Sequence, residues 1–99
     1  MPGVRFHLTG KDKEALKLFF TERTYKNNSP YLKLADTWKS TTKICDELEE
    51  SWQRTQRRLQ KLSGFGFLDL EAVKNKERHD HYWYINREGI YYILSTHKN

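Results

Sequence analysis

The sequence predicts an α+β domain, mainly helical, in which helices come first, a β-hairpin follows and one more helix closes the chain. Apolar residues recur at helical spacing between Ala15 and Phe20 and again between Ile44 and Leu62. Two later runs, Phe67-Leu68-Asp69-Leu70-Glu71-Ala72-Val73 and His81-Tyr82-Trp83-Tyr84-Ile85, alternate as strands do. Gly64 and Gly66 separate the two regimes, because glycine accepts the left-handed conformation that closes helices. At 99 residues the chain is a single domain, 1–99, with one modest core. Its 14% aromatic content supplies large buried areas for that core.

After a short start, Val4-Arg5-Phe6-His7-Leu8, Thr9 can cap a first helix over about 11–25, its hydroxyl accepting an orphan backbone N–H. Ala15, Leu16, Phe19 and Phe20 give that helix a wide apolar face. The linker-like Lys26-Asn27-Asn28-Ser29-Pro30 ends it, since Pro30 disfavours the helical region for Ser29. Tyr31, Leu32, Leu34 and Ala35 could form a short helix, and Trp38-Lys39-Ser40 a short strand. Helical signals resume at Thr41 or Thr42 and run to Ser63-Gly64. A hairpin over about 67–86 follows, with a polar turn at 74–80, Leu68, Leu70 and Ala72 on one side, Trp83 and Ile85 inward, and Tyr82 and Tyr84 outward. Asn86 caps a last helix, about 87–97, whose Ile90, Ile93, Leu94 and His97 fall at i, i+3, i+4 and i+7.

The stretch 41–62 admits two readings. Cys45, Leu48, Trp52, Thr55, Leu59 and Leu62 are spaced as an a/d heptad, which fits one long helix paired with another. The alternative breaks the stretch at Glu49-Glu50-Ser51, with Ser51 capping a second helix that turns its apolar face into the same core. Periodicity alone fits both.

Eighteen Lys+Arg against 13 Asp+Glu give a formal charge of +5, which raises the odds of a polyanionic partner. Residues 1–40 hold eight basic and four acidic side chains, so most of the surplus sits where no binding motif is evident. The informative block lies elsewhere. Asp46, Glu47, Glu49 and Glu50 precede Arg54, Arg57, Arg58 and Lys61, with no acid between Ser51 and Leu62. No apolar run approaches a membrane span or a secretory signal, and the single Cys45 forms no internal disulfide, so a cytoplasmic setting is the simpler expectation.

The order of these features resembles the winged helix-turn-helix family, including the MarR-type and ArsR-type regulators. The residues that carry the resemblance are Ile44-Cys45-Asp46-Glu47-Leu48, Ser51, the run from Arg57 through Gly64-Phe65-Gly66-Phe67-Leu68, and Tyr82-Trp83-Tyr84-Ile85-Asn86-Arg87-Glu88-Gly89. Together they span about 41–94. Glu49 stands where the turn of that family often has glycine, Glu50 where an apolar residue is common, and Thr55 where a valine or isoleucine is usual. The resemblance implies three helices, a β-hairpin wing and a C-terminal helix, in a sequence-specific protein that binds double-stranded DNA and regulates transcription.

On a helical wheel Trp52, Thr55 and Leu62 fall within about 60° of Leu59 and face the core, whereas Gln53, Arg54, Arg57 and Lys61 point outward. Arginine bonds bidentately to guanine and glutamine to adenine, so this face suits the major groove. Gln53, Arg54 and Arg57, nearest the start of the helix, are the candidate base readers, and Arg58 and Lys61 the candidate phosphate partners. The resemblance places Lys74, Lys76 and Arg78 of the wing beside the backbone or in the minor groove. Thr42 and Lys43 open the preceding helix, where N-termini favour phosphate.

No converging acid, base and nucleophile is evident, Cys45 has no histidine near it in the motif, and His79-Asp80-His81 lacks further ligands at metal-binding spacing. The chain is therefore expected to be no enzyme and to need no metal or cofactor. Phe19, Phe20, Tyr91, Tyr92 and Leu94 offer apolar surface beyond what the core requires, which predicts a homodimer through the first and last helices. The rival readings are a winged helix used for protein–protein contact in a larger assembly and a long-helix pairing or RNA-associated protein.

Overall fold

The computed structural model describes residues 8–72 and 81–96. The elements run α1 (Gly10–Lys17), β1 (Phe20–Thr24), β2 (Pro30–Leu34), β3 (Trp38–Ser40), α2 (Thr41–Leu48), α3 (Trp52–Gly64), β4 (Leu68–Ala72), β5 (His81–Ile85) and α4 (Arg87–Thr96). β1 and β2 form an antiparallel pair, and β3, β5 and β4 an antiparallel three-stranded sheet in that order. Trp38-Lys39-Ser40 is thus a strand, as its sequence allows, and it pairs with Tyr84, Trp83 and Tyr82.

The first helix ends earlier than its apolar spacing predicts. Thr9 caps it in a reciprocal box, accepting from the Asp12 backbone N–H while the Asp12 carboxylate accepts from the Thr9 N–H. It stops at Lys17 because the Phe19 carbonyl takes the N–H groups of Ala35 and Asp36, 2.9 and 3.1 Å away, and so leaves the helical ladder. Residues 20–24 and 30–34 are then strands, neither the tail of a helix nor a second short one. Phe20-Thr21-Glu22-Arg23-Thr24 is rich in β-branched and aromatic side chains, and the turn after it has the chemistry of a three-residue hairpin loop. The Asn28 N–H donates to the Tyr25 carbonyl, the Tyr25 N–H donates to the Ser29 carbonyl, and Asn28 takes the left-handed position at φ 65°.

Between Thr41 and Gly64 there are two helices. Ser40 caps α2 and Ser51 caps α3, each hydroxyl accepting from the backbone N–H three residues on. Glu49 closes α2 in the left-handed conformation, φ 53° and ψ 47°, at the position where glycine is usual. The long-helix reading, and the pairing protein built on it, is overturned by this break. Heptad spacing survived the turn because Ile44, Cys45 and Leu48 on α2 and Thr55, Leu59 and Leu62 on α3 are buried by the same core. Trp52 departs from its wheel position. It is 40% exposed, because the first residue of α3 lies beyond the edge of that core.

The core joins Leu16 and Phe19 from the N-terminal segment to Ile44, Leu48, Leu59, Leu62, Leu68, Trp83 and Ile93. Each aliphatic side chain buried this fully contributes about 1.5–3 kcal/mol. Leu70 shares the face of Leu68 but is exposed, where the core runs out. Asn86 caps α4 through the Gly89 N–H, and Gly89 lets α4 lie against β4's approach, where a Cβ would collide with the Phe67 carbonyl oxygen and the Ile85 side chain. Phe19 and Phe20 are buried in this core, so the apolar surface expected of them for a dimer is already covered within the chain. Among the described residues no helix is long and apolar enough to cross a membrane.

Candidate nucleic-acid interface

α3 turns two faces of different chemistry to its surroundings. Thr55, Gln56, Leu59 and Leu62 are buried, while Gln53, Arg54, Arg57, Gln60 and Lys61 are exposed and Arg58 is half-buried. Thr42 and Lys43 are exposed in the first turn of α2. The side chains of Gln53, Arg54 and Arg57 have no hydrogen-bond or ion-pair partner among the described residues.

Arg58 and Lys61 are differently placed. Arg58 Nη1 donates to Asp12 Oδ1 at 2.5 Å, and its Nε and Nη2 donate to the two carboxylate oxygens of Glu50 at 3.1 and 2.6 Å. Lys61 Nζ donates to Asp12 Oδ2 at 2.6 Å. The network joins α1, the turn before α3 and α3 itself. Burial pushes the Asp12 carboxyl up, yet the bonds from Lys61, the Thr9 backbone and Arg58 outweigh burial and hold it below its ordinary value. Glu50 is lowered chiefly by the Arg58 bond, against burial and with help from the Thr55 hydroxyl, which donates at 3.0 Å. The same Glu50 bond is the main reason that the Arg58 guanidinium is raised.

A second polar chain ties the inner side of α3 to the hairpin. Trp83 Nε1 donates to Thr41 Oγ1 at 2.7 Å, and the Thr41 hydroxyl lies 3.2 Å from Gln56 Oε1 and 3.3 Å from the His81 carbonyl oxygen. Gln56 Nε2 in turn donates to His81 Nδ1 at 2.7 Å. Thr41, Gln56, His81 and the Trp83 indole are thus partnered to one another, which ties β5, α2 and α3 together. Lys39 of β3, itself buried, donates to both carboxylate oxygens of Glu47 at 2.9 Å and so fastens α2 to the sheet edge. Beside it, Trp38 and Tyr82 meet edge to face, 5.0 Å between centroids, in an open groove that Ser40 and Lys43 also line.

Superposed on solved structures, the chain matches the crystal structure of a zinc-responsive MarR family member, Lactococcus lactis ZitR. The TM-score is 0.63 at 17% identity, over 93% of this chain and 51% of that one. It also matches the structure of a cysteine-to-serine mutant of Lactococcus lactis ZitR in complex with DNA. There the TM-score is 0.62 at 17% identity, over 94% of this chain and 53% of that one. The chain has the winged helix-turn-helix fold. In this winged helix, α2 and α3 are the motif pair and β4 and β5 form the wing. It spans about half the length of the two structures it matches. No protein-family model matches the sequence, and no curated protein does.

Of the ten residues picked out from sequence, Thr42, Lys43, Gln53, Arg54 and Arg57 are exposed on the motif helices, and Arg58 and Lys61 bond to carboxylates. Lys74, Lys76 and Arg78 lie outside the described residues, as do His79 and His97. Asp12 and Gln56 went unremarked in the sequence. Each had a legible signal, a polar side chain on the apolar stripe of its helix, where burial demands a partner. Among the described residues no group of three or more His, Cys, Asp or Glu side chains is placed to hold a metal ion.

Proposed function

We propose that this winged helix binds double-stranded DNA in a sequence-specific manner and serves as a transcriptional regulator rather than an enzyme. The observation that carries the reading is the outer face of α3, where Gln53, Arg54 and Arg57 stand exposed and without partners among the described residues. Held in the major groove, these three read base edges, and Thr42 and Lys43 at the start of α2 meet phosphates. Lys74, Lys76 and Arg78 of the wing contact the backbone or the minor groove. Arg58 and Lys61 are held by Asp12 and Glu50 and are left out of the phosphate set. The likeness of fold to a MarR family member whose mutant has a solved structure in complex with DNA supports the same reading. No metal or cofactor enters it, and a cytoplasmic setting fits it.

The chain pairs with a second copy through α4, beside α1. Tyr91 is 72% and Leu94 49% exposed there, more apolar surface than a helix facing water needs. A rival reading, protein contact within a larger assembly, draws on the exposed Trp38 and its neighbour Tyr82.

A salt series of binding to duplex DNA tests the proposal. Affinity should fall linearly on a log–log plot with salt, as phosphate neutralisation requires. Replacing Arg54 and Arg57 by alanine should cost about 1–3 kcal/mol of base discrimination for each arginine that reads a base. Absence of binding at low salt would favour the protein-contact rival.

A further inference from the structure

Asp12 occupies an unusual place. It lies on the stripe of α1 that carries Ala15 and Leu16 into the core, and its side chain is 1% exposed. A carboxylate is tolerated there only when paired and fully hydrogen-bonded. Both oxygens meet that condition, Oδ1 accepting from Arg58 and Oδ2 from Lys61 and the Thr9 N–H, the last at 2.9 Å. Both cations come from α3 and lie on neighbouring turns of one flank. Glu50 grips the other edge of the Arg58 guanidinium, so the group is held from two elements at once.

Apolar contacts are non-directional, so Leu59 and Leu62 seat α3 with little hold on its roll about its own axis, and the Gln56 bonds to Thr41 and His81 restrain that roll from the inner side alone. Roll is what base reading depends on. An arginine tip stands roughly 7–10 Å from the axis of a helix, so a roll of about 10° displaces it by more than about 1 Å. That is enough to lose a bidentate bond to a base edge. Charge-assisted bonds on one flank are directional and resist such a roll.

We propose that Asp12 is a positioning residue for DNA reading: it withholds Arg58 and Lys61 from the phosphates and uses them to fix the roll of α3, so that Gln53, Arg54 and Arg57 meet base edges at a set angle. The proposal rests on the DNA-binding reading above. It also reverses the sense in which two of the four cations on α3 serve the interface. They act by being unavailable.

Asp12→Asn tests this, because asparagine keeps an oxygen that can accept from Thr9 while it removes the charge and turns an NH2 donor toward Arg58 in place of the second acceptor. Binding is measured across a salt series on two probes, a mixed-sequence duplex and a duplex selected from a randomised pool by the wild-type protein. On the mixed-sequence duplex the variant should bind several-fold more tightly, with a salt slope steeper by about 1 as Lys61, no longer held by a carboxylate, reaches phosphate while Arg58 stays on Glu50. Its preference for the selected duplex should fall by about tenfold, comparable to losing one base contact. Weaker binding to both duplexes by one factor, with the slope unchanged, would mark a merely structural role and overturn the proposal. Lys61→Gln supplies an independent arm that leaves Asp12 and its Arg58 bond in place. Preference should fall with no change of slope, whereas a slope shallower by about one would put Lys61 on a phosphate in the wild type and overturn the proposal. A wild-type chain that binds neither duplex at low salt removes the DNA-binding reading itself.

Discussion

At Arg58 the one-dimensional reading and the folded chain diverge most sharply. A helical wheel sets Arg58 apart from the apolar stripe, and a cation there reads as phosphate-directed. The fold instead brings Asp12, 46 positions earlier, against it, and no local pattern announces that contact. Asp12 itself was legible, as a carboxylate on an apolar face. Its partner was not. The pairing has a consequence in acid. Asp12 and Glu50 both titrate below their ordinary values in the folded chain, so their pairs add stability above the unfolded carboxyl range, near about pH 4. That stability is lost as pH falls through the lowered folded values. Urea denaturation midpoints should therefore drop below about pH 4, and the drop should be shallower when Asp12→Asn and Glu50→Gln are combined. Equal drops in the two proteins would assign the acid sensitivity to other groups.

Among the elements, those announced by local chemistry or by clear alternation were readable, and the β1–β2 hairpin was not. Ser51 offered a cap and Glu49-Glu50 a turn, so the break between α2 and α3 was one of two readings in the sequence and is the one the fold adopts. The alternation of β5 correctly put Trp83 and Ile85 inward. The β1–β2 hairpin was missed because Phe19 and Phe20 continue the helical spacing of Ala15 and Leu16, and the spacing hid the strand chemistry that follows. What holds α3 to the wing is Gln56, again a polar residue facing inward. Gln56→Leu should leave Thr41 and His81 short of a partner and destabilise the chain by about 1–3 kcal/mol in urea denaturation. A change within about 0.5 kcal/mol, the range of an ordinary surface substitution, would show that the link carries no such load.

For the molecule as a whole, the surplus of +5 overstates the charge left free to meet a polyanion. Arg58, Lys61 and Lys39 are committed to carboxylates inside the fold, while Arg54, Arg57 and Lys43 remain on the motif surface. Six of the eight basic residues in 1–40 fall on α1 and the β1–β2 hairpin beside it, as Lys11, Lys13, Lys17, Arg23, Lys26 and Lys33, away from the motif in sequence. Self-association belongs to this scale too. Sedimentation should report a dimer for the wild type and a monomer when Tyr91 and Leu94 are both replaced by serine, and a wild-type monomer at all concentrations would exclude pairing through α4.

The account turns on the outer face of α3 being the surface that meets DNA. Backbone amide shifts of the labelled chain, followed by nuclear magnetic resonance as duplex DNA is added, test that face directly. The largest changes are predicted between Trp52 and Lys61 and at Thr42 and Lys43. Changes confined to α4 or to the Trp38 groove, or no changes at low salt, would contradict it.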